Sequence, residues 1–89
     1  MISCEIVVTG KVQGVGFRRF VLDLAGQFNI SGYVKNRYTG QVYILATGQE
    51  ANIKLFIDRV KAGNLFSRVE KVTSFTIPVL DETEGFYIK

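Results

Sequence analysis

Between residues 4 and 28 the apolar pattern changes its period, and the change falls on a stretch punctuated by glycine. Cys4, Ile6 and Val8 alternate in part with Glu5, Val7 and Thr9, the two-residue repeat of a half-buried strand. Gly10, Gly14 and Gly16 then interrupt the chain. Phe17, Phe20, Val21, Leu24, Ala25 and Phe28 stand at i, i+3, i+4, i+7, i+8 and i+11, which predicts an amphipathic helix ending near Asn29. The chain is thus required to place a strand, a glycine loop and a helix in immediate succession.

The rest of the sequence repeats the theme. Residues 32–35 and 42–46 read as two strands, and residues 36–40, with Asn and Gly as turn formers, join them as a hairpin. Residues 49–61 are helical, with Ile53, Phe56, Ile57 and Val60 on one face and Gly63 and Asn64 as the stop. Residues 69–77 form a strand ended by Pro78, residues 81–85 an acidic turn, and residues 86–88 a short strand at an edge. The order β-α-β-β-α-β plus a terminal strand predicts an α+β, ferredoxin-like split βαβ fold, with two helices on one face of a mainly antiparallel sheet. At 89 residues there is length for one domain, residues 1–89, and one core.

Composition narrows the chemistry. The sequence has no histidine and one cysteine, Cys4. That removes Ser-His and Cys-His nucleophile pairs, an intrachain disulfide and a cysteine-histidine zinc site. Hydrophobic residues are 47% and charged residues 21%, the balance of a soluble globular domain. No apolar run approaches the ~20 residues of a membrane helix, and the first residues lack the pattern of a secretory signal. A cytoplasmic protein with no membrane partner is expected. Eleven basic against eight acidic residues leave a net charge of +3, a mild preference for anions that does not by itself imply nucleic acid.

Residues 10–16 lie between a strand and a helix, where about four backbone N–H groups have no partner within the helix. Glycines at 14 and 16 let such a backbone close around an anion. Arg18 and Arg19 follow, two cations at the positive end of a helix dipole, each unfavourable by roughly 0.3–1 kcal/mol unless an anion is bound. Arg19 has Asp23 at i+4, an ion-pair spacing; Arg18 has Leu22 there, which leaves its guanidinium free for a ligand. The residues alone leave a plain strand-to-helix turn with exposed arginines equally open. The glycine spacing matches neither the dinucleotide fingerprint nor the nucleoside triphosphate loop.

The run Val8-Thr9-Gly10-Lys11-Val12-Gln13-Gly14-Val15-Gly16-Phe17-Arg18 closely resembles the first signature of the acylphosphatase family. Gly32-Tyr33-Val34-Lys35-Asn36, followed by Gly40, Val42 and Gly48, resembles the second. The likeness covers nearly the whole chain, with departures at Gln49, at Asn64 and at the last residues. It implies hydrolysis of the carboxyl–phosphate anhydride of acyl phosphates by direct attack of water, with no metal, no cofactor and no phosphoenzyme. It implies that the backbone N–H groups of Gln13, Gly14, Val15, Gly16, Phe17 and Arg18 cradle the phosphoryl oxygens. By the same likeness Arg18 binds phosphate and Asn36 holds the attacking water. The expected partner is a small-molecule acyl phosphate, and the expected protein a monomer.

The residues suit that chemistry. A carboxylate is a good leaving group, so catalysis needs charge neutralisation and a positioned water more than a strong acid. An amide such as Asn36 can orient water through both a donor and an acceptor. A Cys-x5-Arg phosphatase loop would need cysteine where Val12 stands, and no Asp-x-Asp pair offers an aspartyl nucleophile. Without the resemblance, Asn36 reads as the first residue of a turn. Two other functions remain: a domain that senses phosphate or an acyl phosphate without turnover, and an RNA-binding ferredoxin-like module. Residues 32–35 and 42–44 lack the basic-aromatic signature expected on an RNA-binding central strand, so nucleic acid is not an expected partner.

Overall fold

In the computed structural model, which describes residues 1–79 and 84–89, the elements run β1 (Ile2–Lys11), α1 (Phe17–Gln27), β2 (Ser31–Asn36), β3 (Val42–Gly48), α2 (Glu50–Ala62), β4 (Arg68–Ile77) and β5 (Phe86–Ile88). They form one five-stranded sheet in the order β4-β1-β3-β2-β5. Antiparallel ladders join β1 to β3, β1 to β4 and β2 to β3, while β5 lies parallel to β2 at the edge. The sheet is therefore mixed, with antiparallel pairing dominant, and the ferredoxin-like expectation is met. Three residues of the acidic turn read at 81–85, residues 81–83, lie outside the described ones.

The alternation read at the start of the chain decides what faces the helices. Cys4, Ile6 and Val8 are buried, and they join Val34, Val42, Ile44 and Ala46 in a core closed by Phe17, Val21, Leu24 and Ala25 of α1 and by Ile53, Phe56 and Val60 of α2. The whole of β3 is buried, because strands flank it on both sides and its residues are apolar or small. Phe20 and Phe28, on the helical stripe, are only half-buried. Helix α1 stops at Gln27: Asn29 turns left-handed at φ 57, and Ile30 N–H reaches back to Ala25 O at 2.8 Å.

Strand β1 is longer than its alternation suggests. A register shift between Thr9 and Gly10 lets Gly10 and Lys11 continue to pair with Val69 and Arg68 of β4. Gly10 and Lys11 thus belong to the sheet, and the loop proper is residues 12–16. Similarly, Asn36 is the last ladder residue of β2, opposite Val42, and not the first residue of the turn.

The face opposite the helices carries Tyr33, Tyr43 and Tyr87, with successive ring centroids 6.0 Å apart. Lys35 and Arg37 sit over Tyr43 at 5.6 and 4.6 Å, and Lys89 over Tyr33 at 4.2 Å. The Tyr43 hydroxyl donates to Glu5 at 2.6 Å, and burial, reinforced by Glu5, pushes its pKa well above the usual phenol value. Among the described residues no helix is long and apolar enough to cross a membrane.

Phe56 is fully buried and meets Phe86 of β5 edge-on at 6.4 Å, so it links α2 to the terminal strand. Phe56→Ala is expected to cost about 3–5 kcal/mol, read as a lower urea midpoint at unchanged m-value. A loss below about 1 kcal/mol would contradict this packing.

Candidate active site

The loop 12–16 is built inside out. Val12 plunges its side chain into the core at 1% exposure, and Phe17 does the same at the first position of α1. Between these two anchors the backbone must turn sharply. It does so at Gly14 and Gly16, both at φ 73, in the left-handed region where a Cβ is unfavourable. Gly16 is also the N-cap of α1; no side chain caps the helix, and its first turn contains no acidic residue. The first helical bond runs from Phe20 N–H to Gly16 O at 3.1 Å, so the amides of Phe17, Arg18 and Arg19 have no partner within the helix.

These residues border a cavity of about 200 Å³, lined by Val12, Gly14, Gly16, Phe17, Arg18, Arg19, Asn36 and Ile88. Among the residues singled out in the sequence, Gly14, Gly16, Phe17, Arg18 and Asn36 therefore come together. The lining has two guanidinium groups and no carboxylate side chain, so the charged side chains that border it are all cationic. Arg19 is committed elsewhere: its Nε donates to Asp23 Oδ1 at 3.2 Å, the i,i+4 pair read from the sequence. Arg18 makes no ion pair or side-chain hydrogen bond among the described residues. Asn36 lines the cavity, and its Oδ1 is buried without a hydrogen-bond partner among the described residues, at a cost of roughly 1–3 kcal/mol.

Gln13 and Val15 do not line the cavity; they hold the loop from outside. Gln13 Nε2 donates to Arg37 O at 2.6 Å and to Gln41 O at 2.9 Å, which fastens the loop to the hairpin just beyond Asn36. Gln41 Nε2 in turn donates to Thr9 Oγ1 at 3.2 Å. On the other flank Asn64 Nδ2 donates to Val15 O at 2.9 Å. The sequence reading assigned backbone roles to Gln13 and Val15 and none to Gln41, Asn64 or Ile88. No local pattern could have singled out the last three, since residues 15 and 64 meet only through the fold. Among the described residues there is no group of three or more Cys, Asp or Glu able to hold a metal ion.

A profile of the acylphosphatase family matches residues 4–88. An acylphosphatase of Clostridium acetobutylicum is 43% identical over 83 residues, which cover 93% of this chain and 91% of the relative. One from Bacillus subtilis is 45% identical over 87 residues, covering 98% of this chain and 92% of the relative. The crystal structure of acylphosphatase from Bacillus subtilis superposes with a TM-score of 0.97 at 40% identity, covering 100% of this chain and 99% of that one. With a matched profile across nearly its whole length, and relatives of its own size and shape, this chain belongs to the acylphosphatase family.

Proposed function

We propose that this chain hydrolyses acyl phosphates to a carboxylate and inorganic phosphate, with the phosphoryl group held in the cavity at the start of α1. The observation that carries the reading is the meeting of the unpaired Arg18, the uncapped N-terminus of α1 and the Asn36 side chain on one small hollow.

The loop and first-turn amides, with Arg18, take the phosphoryl oxygens. A guanidinium meets two of those oxygens at once, and amides aimed at them need no reorganisation as charge develops in the transition state. The Asn36 carboxamide hydrogen-bonds the water and turns the water's lone pair toward phosphorus. A bond forms from that water to phosphorus as the bond from phosphorus to the acyl oxygen breaks. The acyl oxygen keeps the electron pair and leaves as a carboxylate, and the water's proton passes to the phosphate product or to solvent. Because an ordinary carboxylic acid has a pKa near 4, the leaving group needs no protonation. Charge is neutralised by guanidinium and amides alone, so the reaction runs without a metal, a cofactor or a covalent intermediate.

Asn36 also borders a hollow of about 450 Å³ with Lys35, Arg37, Tyr38 and Thr39, room for an acyl group beside the phosphoryl site. The reading includes a cytoplasmic monomer with no nucleic-acid partner.

Arg18→Ala is expected to lower kcat/KM for benzoyl phosphate by about 100–1000-fold and to abolish competitive inhibition by inorganic phosphate. Asn36→Ala is expected to lower kcat by a similar factor, about 100-fold or more, while phosphate still inhibits. Full activity in either variant refutes the assignment, and phosphate binding without turnover in the unaltered protein would make it a sensor. Turnover in ¹⁸O-water with a chelator present should place the label in phosphate. Label in the carboxylate would show attack at carbon.

A further inference from the structure

Val15 lies between two glycines in the left-handed region, and the peptide unit joining Val15 to Gly16 could rotate at little cost on the glycine side. Its orientation matters. In a planar trans peptide the carbonyl and the following N–H point in opposite directions. Whatever holds Val15 O on one side therefore turns the N–H of Gly16 to the other. The group that holds it is Asn64. Val15 O can only accept, so the carboxamide atom 2.9 Å away is the amide nitrogen. Asn64 itself is fixed by its own turn: its N–H donates to Ser67 Oγ at 2.9 Å, and Ser67 Oγ donates to Asn64 O at 3.2 Å.

We propose that Asn64 is a positioning residue of the phosphoryl site, holding the Val15–Gly16 peptide so that Gly16 N–H faces the cavity and no carbonyl oxygen does. This rests on the phosphate-binding reading above. A flipped peptide would replace a donor with an acceptor beside the phosphoryl oxygens, turning attraction into repulsion.

A second observation separates this role from plain structural support. The other end of the Asn64 carboxamide, Oδ1, is buried and has no hydrogen-bond partner among the described residues. Such a group costs folding free energy, so a side chain chosen for stability would not leave it there. Gly16 is close enough that a Cβ there would lie 3.8 Å from Asn64 Nδ2, which places the carboxamide against the N-cap itself. Asn64 does not line the cavity and touches no reacting atom. Its effect therefore falls first on the binding of phosphoryl oxygens, which KM and the inhibition constant of phosphate read directly.

The test compares the unaltered protein with Asn64→Ala and with Asn64→Leu, which keeps the volume and removes the donor. Melting temperature, KM and kcat for benzoyl phosphate and Ki for inorganic phosphate are measured for each. The expected result is an unchanged or higher melting temperature, a rise of about tenfold in both KM and phosphate Ki, and kcat within about threefold of the unaltered protein. KM and Ki within about twofold of the unaltered values would overturn the proposal. So would unfolding of both variants, since Asn64 would then be structural. Failure of the underlying reading looks different: the unaltered protein would neither turn over benzoyl phosphate nor be inhibited by phosphate, or Arg18→Ala would do both normally.

Discussion

Peptide amides without partners at the entrance of α1 are the constraint from which the rest of this architecture follows. A helix that begins without a side-chain cap and without an acidic first turn leaves its terminal N–H groups and its positive dipole end unanswered. The chain then adds Arg18 and Arg19 at that same end. For stability alone this is the wrong sign of charge in the wrong place. Arg19 is offset by Asp23, whereas Arg18 is not offset by any described residue. Under the proposed reading the phosphoryl group supplies the missing negative charge.

A loop that must keep its amides free cannot be stabilised by capping them. This chain holds it by other atoms. Val12 and Phe17 bury their side chains on either side of the turn, which fixes where the loop begins and ends. The loop's remaining polar contacts use the Gln13 side chain and the Val15 carbonyl, so no described contact consumes the amides that border the cavity. The two clamps approach from opposite flanks, one from the β2–β3 hairpin and one from the turn after α2. The Gln13 clamp has an added consequence: by gripping Arg37 O it ties the position of Asn36, one residue earlier, to the loop.

The chemistry asked of this site matches its modest equipment. Acyl phosphates already carry a leaving group that departs as a stable anion, so a protein of 89 residues with no histidine lacks nothing essential. What it must provide is geometry, and geometry is what a five-stranded sheet with helices on one face provides cheaply. β1 delivers the loop, and β2, beyond the intervening β3, delivers Asn36 at its end.

Much of this was legible in one dimension. The change of period at Phe17 located α1, the apolar run at residues 42–46 marked a strand, and the i,i+4 spacing of Arg19 and Asp23 foretold which arginine would be engaged. These are local properties, determined by periodicities of two and 3.6 residues that any segment carries within itself. The two signature runs pointed to the family and, through it, to Arg18 and Asn36, which the fold brings to one cavity. Other features depended on atoms brought together from distant parts of the chain. The extension of β1 through Gly10 and Lys11 required the bulged pairing with β4, and the ladder position of Asn36 required Val42 opposite it. The carboxamide of Asn64 became a clamp on Val15 only when the turn after α2 was set against the loop before α1. A hydrogen bond across 49 residues leaves no trace in local pattern, because its direction is decided by the packing of whole elements and not by the propensities of the two residues it joins.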